Sequence, residues 1–362
     1  MTKLERFAFI IHPLDVKRDI GRKYPIARYL PLRVTELLFG LTKPQVVSHI
    51  TGIKSATGTE AEGWFIVCPM TPRMMLADER RAMDRIIEAG KVAQDTGAKI
   101  VGLGAFTSVV GDAGLTIAEN LDISVTTGNS YTIATALEAA KQAADLMGID
   151  LPSATAAVIG ATGSIGRCCA EVLRREVKDV VLVGRDNERL NELLDQLTAT
   201  PDEGPTNLHV ETNIADALRD ADIVVTVSSA IDAIIFPQHL KPGAVVCDVA
   251  RPRDVSQSVA KEREDVLVIE GGVVQVPGNV EFGFQFGFPP KTSYACMAET
   301  MICALDGSYE PFTLGRDITV GQMQRINSLA KQHGFKLAGF RSFERAVSRK
   351  EIEAVRNRAL KS

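Results

Sequence analysis

The sequence predicts an α/β protein built on a doubly wound, parallel sheet. Two observations carry that reading. The middle of the chain alternates β-branched runs with helical stretches: "TAAVI", "DVVLV", "ADIVVTVSS", "AVVCDVA" and "VLVIE" read as strands, and "RCCAEVLRRE" and "NERLNELLDQL" as helices. The first of those strands also runs into a glycine-rich turn, "GATGSIG", that opens directly into a helix. Strands separated by helices pair in parallel, because a parallel connection needs a crossover long enough to hold a helix.

The elements on either side complete the architecture. In the first 130 residues, "FAFIIHP", "GWFIVCPM" and "KIVGLGAF" read as strands, and "ERRAMDRIIEAGKVAQDTGA" as an amphipathic helix ending near Gly97. "SYTIATALEAAKQAADLMGI" reads as a helix carrying the chain from one domain to the next. The last 70 residues lack the strand–helix alternation and read as helices that return to the first domain. The expected division is therefore 1–130 with 291–362 as a mixed α/β substrate domain, and 131–290 as an inserted dinucleotide domain, with the active site in the cleft between them. "PDEGPT" at 201–206 reads as a surface loop.

Bulk numbers exclude several classes. The chain has 362 residues, 45% hydrophobic and 24% charged, the balance of a globular protein large enough for two cores. A net charge of -4 gives no reason to expect nucleic acid. The ends are basic: residues 1–43 hold nine Lys/Arg against four Asp/Glu, and residues 341–362 seven against three. Solvated surface explains this, as does a docking face for an acidic partner or a peripheral contact with an anionic membrane. Six cysteines show no CxxC pair, and the five histidines do not cluster, so no metal site is expected. The opening "MTKLERFAFIIHPLD" has too short an apolar run for a signal peptide, and no apolar run has membrane-spanning length. A cytoplasmic protein with reduced thiols is the expectation.

"GATGSIG" supplies the first candidate site. Gly160 permits the tight turn, Gly163 lets the backbone approach a pyrophosphate, and Gly166 lets helix pack on strand. Thr162, Ser164 and Ile165 complete the loop, and the helix start favours negative charge. The spacing GxxGxxG fits the variant loops of short-chain and shikimate-type dehydrogenases, so a Rossmann-type domain in a shikimate-dehydrogenase-like arrangement is expected. The next strand ends "LVGRDNERL". Arg185, with Arg189 behind it, can pair with a ribose 2′-phosphate, which points to NADPH; Asp186 is the contrary sign, since an acid there serves NAD. Ser228 and Ser229, and Gly271 and Gly272, close later strands where such a fold passes the nicotinamide ribose, although all four also read as plain loop residues.

"EFGFQFGFPPKTSYACMAET" supplies the second. After Pro289 and Pro290, Thr292 or Ser293 is a good N-cap, which places Cys296 in a first helical turn. There the helix field favours a thiolate. The other reading of Cys296 is core packing, and that reading also covers Cys303, Cys168 and Cys169. If residues 281–288 are extended, Phe282, Phe284, Phe286 and Phe288 share one face and can border an apolar channel or seal a domain junction.

"GLGAFTSVV", "TTGNSYT", "ATAAVIGATGSIG", "VLVGRDNERL", "VIEGG", "YACMAETM" and "GRDITVGQMQRINSLAKQHGFKLAGF" occur in the order seen in the cyanobacterial-type long-chain acyl-[acyl-carrier-protein] reductases. The chain resembles that family from about residue 50 to about residue 340. The resemblance implies NADPH-dependent reduction of a fatty acyl thioester to a fatty aldehyde, with Cys296 as the acyl acceptor and acyl carrier protein or coenzyme A as the carrier. The tetrahedral oxyanion would need donors, for which Thr107, Ser108, Thr127 and Asn129 are candidates; turn and cap chemistry explains each of them equally. The Phe/Gly alternation before the cysteine and the basic tail depart from the family pattern. Glu299 reads either as an aid to proton transfer or as a solvent-facing helix residue.

Two other functions remain open on the residues alone. A shikimate-type dehydrogenase of a small hydroxy acid needs a Lys–Asp pair for its hydroxyl proton, and "CPMTPRMM" and "TGNSYT" offer Arg73 but neither Lys nor Asp. A non-catalytic NADP-binding protein would leave the Cys296 helix without a role.

Overall fold

A computed structural model describes residues 4–13, 19, 29–199, 207–283 and 289–361. The chain divides into two units: Met1–Tyr131 with Val274–Asp317 and Arg325–Lys336, and Thr132–Val273 with Ile318–Gln324 and Leu337–Ser362.

In the first unit, β1 (Leu4–Ile11), β2 (Gln45–Lys54), β3 (Glu60–Val67), β4 (Ile100–Leu103) and β5 (Ser124–Thr126) join a late strand, Gly278–Glu281. The order is Gly278–Glu281, β2, β3, β1, β4, β5. The β3–β1–β4–β5 stretch is parallel, and β2 is antiparallel to both of its neighbours. Phe7, Ala8, Phe9 and Ile10 are all buried, so β1 is covered on both faces and needs no polar alternation. The Glu79–Asp95 helix is capped by Asp78, which accepts the Arg81 N–H at 3.0 Å. It buries Ala82, Ile86, Ala89 and Ala93, a single stripe at helical spacing.

The second unit has six parallel strands: β6 (Thr155–Ile159), β7 (Asp179–Val183), β8 (Asn207–Glu211), β9 (Ile223–Thr226), β10 (Val245–Asp248) and β11 (Leu267–Glu270). Their order, β8-β7-β6-β9-β10-β11, is that of two mononucleotide-binding halves. The strand order reverses between β6 and β9, and ligands of this fold bind beyond the carboxyl ends of the strands at that point. Ala157, Ile159, Val224, Val246 and Ile235 fill the core beneath it.

Three expectations are corrected. Residues 274–290 belong with the first unit, because Gly278–Glu281 pairs with β2. Residues 318–324 and 337–362 belong with the second, although all of 291–362 was expected to return to the first. The tail is also not purely helical. Phe340–Ser342 and Arg345–Val347 form a hairpin whose Glu344 N–H donates to Glu270 Oε1 at 2.6 Å. The helix Asn129–Met147 does span the boundary between the units. Loop 201–206 lies outside the described residues.

Candidate functional site

In the second unit, "GATGSIG" joins β6 to the helix Ser164–Leu173. Gly160 has φ +81°, and the Gly163 N–H donates to Gly160 O at 2.9 Å, closing the turn. A Cβ on Gly166 would lie 2.2 Å from Gly160 O, so a side chain there would push the helix off the strand. Gly163 is exposed, and a Cβ there would meet only Gly160 O, at 3.2 Å. The backbone at the helix start is thus bare on its outer side, and Thr162, Ser164 and Ile165 are partly exposed around it. These residues fit the pyrophosphate of a dinucleotide.

Arg185 and Arg189 are exposed just beyond β7. Asp186 Oδ1 accepts the N–H of Glu188 at 3.1 Å and of Arg189 at 3.2 Å, so its carboxylate caps the following helix. Ser228 lies beside the loop: a Cβ on Gly160 would be 3.2 Å from Ser228 Cα. The Ser228 hydroxyl donates to Asp254 Oδ1 at 2.6 Å and its N–H to Oδ2 at 3.1 Å, while Ser229 is exposed. Asp254 is wholly buried, and burial pushes its pKa up against those bonds. Gly271 is a packing residue, since a Cβ there would meet Val249 at 2.7 Å and Cys247 Sγ at 2.9 Å. Gly272 has φ +76° and is buried beside it.

In the first unit, Cys296 is the second residue of the helix Ala295–Asp306. It is partly exposed, whereas the other five cysteines are buried. Burial pushes Cys68, Cys168 and Cys247 up to about 12 and raises Cys169 and Cys303 strongly, which leaves those five as inert thiols. The expected N-cap is corrected. Thr292–Tyr294 is a short strand, and the cap residue is Tyr294, with no side-chain bond to the helix. The Thr292 hydroxyl donates instead to Pro289 O at 2.7 Å and that of Ser293 to Tyr294 O at 3.2 Å.

Gly128 fixes what faces the cysteine. Its φ is +74°, and a Cβ on it would lie 2.3 Å from Cys296 Cα and 2.5 Å from Cys296 Cβ. Only glycine lets the turn after β5 come this close. Glu299, one turn along the helix, holds the turn there. It accepts the Thr126 hydroxyl at 2.6 Å, the Tyr131 N–H at 2.7 Å and the Thr313 hydroxyl at 2.7 Å. Thr313 has a single proton, so its 2.9 Å contact with Ser130 Oγ is one in which Ser130 donates. Glu299 is wholly buried, which corrects the solvent-facing reading, and burial raises its pKa against those donors. The signal for it was a single acid inside the apolar run "ACMAETMICAL".

The four candidate donors are placed as follows. The Thr127 hydroxyl and N–H both donate to Thr313 O, at 3.0 and 2.9 Å. Asn129, 7% exposed, opens the helix after the Gly128 turn. Thr107 and Ser108 lie in the turn Ala105–Ser108, where their hydroxyls donate to Gly104 O at 2.8 Å and Ala105 O at 2.7 Å. His12 holds that turn by accepting the Phe106 N–H at Nε2, 3.1 Å away. Burial pushes the His12 pKa down to about 4, so it serves as a neutral acceptor. Phe282 is buried and stacks on Phe65, with ring centroids 6.1 Å apart. Gly283 has φ +71°, which interrupts the extended backbone after Phe282. Phe284, Phe286 and Phe288 lie outside the described residues. No group of three or more His, Cys, Asp or Glu that could hold a metal occurs among the described residues.

The sequence model of the shikimate/quinate 5-dehydrogenase family matches residues 138–270, most of the second unit. The long-chain acyl-[acyl-carrier-protein] reductase of Synechococcus elongatus is 31% identical over 346 residues, covering 89% of this chain and 95% of that protein. The chain belongs to that reductase's family. The relation is distant. The aminotransferase PigE of a Serratia species is 30% identical over 96% of this chain, which spans 41% of PigE's length. An L-tryptophan dehydrogenase structure from Nostoc punctiforme covers 99% of this chain and 88% of its own, at 12% identity and a TM-score of 0.43, too low to bear on function. This member of the reductase family therefore has an NAD(P)-binding, oxidoreductase-type unit and a separate unit carrying the partly exposed cysteine.

Proposed function

We propose that the protein reduces a fatty acyl thioester, carried by acyl carrier protein or coenzyme A, to a fatty aldehyde through an acyl-enzyme on Cys296. One observation carries the reading: the only cysteine that is not buried opens a helix, against a glycine turn, in a chain of the acyl-ACP reductase family. The helix start favours the thiolate, and the same positive helix end suits a developing oxyanion. The thiolate attacks the acyl carbonyl and forms a new C–S bond. The carrier's C–S bond breaks, and the carrier leaves as a thiolate that takes up a proton. A reduced nicotinamide held at the Gly160–Gly166 loop would supply one hydride, and with a proton from solvent the enzyme thioester would become a thiohemiacetal. Its collapse breaks the Cys296–carbon bond, releases the aldehyde and regenerates the thiol. Glu299 acts as a positioning residue, holding the 126–131 turn against the cysteine.

NADPH is the favoured form, because Asp186 is used as a helix cap while Arg185 and Arg189 stand exposed where a 2′-phosphate would lie. The test is intact-mass spectrometry after incubation with an acyl thioester and no NADPH. The wild type gains one acyl group, whereas Cys296→Ala gains none and loses aldehyde formation while still binding NADPH. Unchanged turnover in Cys296→Ala would overturn the covalent route.

A further inference from the structure

We infer that the helix Leu32–Gly40 is a docking surface for an anionic lipid bilayer. Val34 (40% exposed), Leu37 (64%), Leu38 (53%) and Leu41 (66%) follow i, i+3, i+4, i+7 spacing, which places them on one stripe. That stripe faces outward, the reverse of an ordinary surface helix. The inward side, apart from the partly buried Phe39, is small and polar. Thr35 and Gly40 are buried, a Cβ on Gly40 would lie 2.6 Å from Met74 Cε, and Gly40 O accepts from Arg81 at 3.0 Å. Leu76 (56%), on the helix Pro72–Ala77 that carries Met74, adds a further exposed side chain, and Tyr29 (88%) precedes the stripe.

Charge selects the occupant. Arg33 is exposed at the start of the helix, Lys43 three residues past its end, and Arg73 one turn before Leu76. The helix's single acid, Glu36, is only partly exposed and accepts the Thr71 hydroxyl at 3.4 Å. An aliphatic centre with cations at its margin suits acyl chains beneath anionic headgroups; a polar acidic protein would leave the four aliphatic side chains unmatched. Because the helix is already seated on the protein, it need not fold at the membrane, so nine residues suffice. Attachment would be peripheral, since no helix among the described residues is long and apolar enough to cross a membrane.

The inference goes beyond the thioester chemistry, and its test needs no turnover. Full-length protein is floated with phosphatidylcholine vesicles and with vesicles containing about 30% phosphatidylglycerol. The wild type should float with the anionic vesicles and be released by salt. The Leu37→Asp/Leu38→Asp double variant should partition about tenfold or more weakly with an unchanged Tm, since both side chains are exposed. Arg33→Glu/Lys43→Glu should lose the preference for anionic vesicles. A wild type that stays in the soluble fraction would overturn the proposal, as would equal flotation of the leucine variant. A wild-type dimer that the leucine variant makes monomeric would instead assign the stripe to a second copy of the chain.

Discussion

Glu299 and Glu270 are both buried glutamates, one in each unit, and their partners are of opposite kinds. The donors around Glu299 are neutral: two threonine hydroxyls and the backbone N–H groups of Tyr131 and Gly128. Glu270 is met by cations, with Arg253 at 2.8 Å, Arg341 at 3.7 Å and Arg251 at 3.9 Å, and by the Glu344 N–H. Burial pushes both carboxyls up. Around Glu270 that push is outweighed by Arg251, the Glu344 N–H and Arg253, and its pKa ends below the usual value. Around Glu299 burial wins, and the pKa ends above it. The difference separates a fixed charge that ties a C-terminal hairpin to β11 from a carboxyl that can change charge one helical turn from the candidate nucleophile.

The largest expected effect is on the fixed charge. Glu270→Ala would leave three largely buried guanidinium groups without their shared anion, a loss of about 3–5 kcal/mol. Denaturant unfolding, analysed as two units, would read it, and a loss below about 1 kcal/mol would show that the arginines are held by other partners.

Glu299→Ala comes next. Neutral donors that lose an acceptor cost less than orphaned charges, about 2 kcal/mol here. Its sharper readout is kinetic. If the carboxylate holds the 126–131 turn on the cysteine, acyl-adduct formation on Cys296 slows and kcat falls while NADPH affinity stays unchanged. An adduct rate equal to wild type would reduce Glu299 to a packing residue.

These two carboxylates also mark how far the sequence could be read. The phosphate loop was legible because its constraints are local: the positive-φ turn at Gly160, the bare helix start at Gly163 and the close helix–strand approach at Gly166 fall within one short run. The first-turn position of Cys296 was legible from the prolines before it. Glu299 was not, because its partners Thr126 and Tyr131 lie 173 and 168 residues away. The expected cap failed because the Thr292 and Ser293 hydroxyls found nearer carbonyls. The C-terminal hairpin was hidden for a different reason. It turns on Phe343 and Glu344, both with positive φ, where no glycine announces a turn. The placement of the tail then follows from Arg341 and Glu344 meeting Glu270, pairings that no spacing encodes.

The smallest effect sharpens the contrast most, because it differs in sign. Glu299 has a folded pKa above its unfolded value of 4.5. Through the window from 4.5 up to the folded pKa, the folded state holds a proton that the unfolded state has lost, so rising pH removes stability. Glu270 has a folded pKa below 4.5, so its contribution is present above that value and is lost as pH falls through the folded pKa. Subtracting a Glu299→Gln stability curve from wild type should leave a term that declines with rising pH above 4.5. The corresponding Glu270→Gln difference should decline with falling pH below 4.5. Each should amount to about 1.4 kcal/mol per pKa unit displaced. Two difference curves sloping the same way would remove the distinction between a charge held by cations and one held by neutral donors.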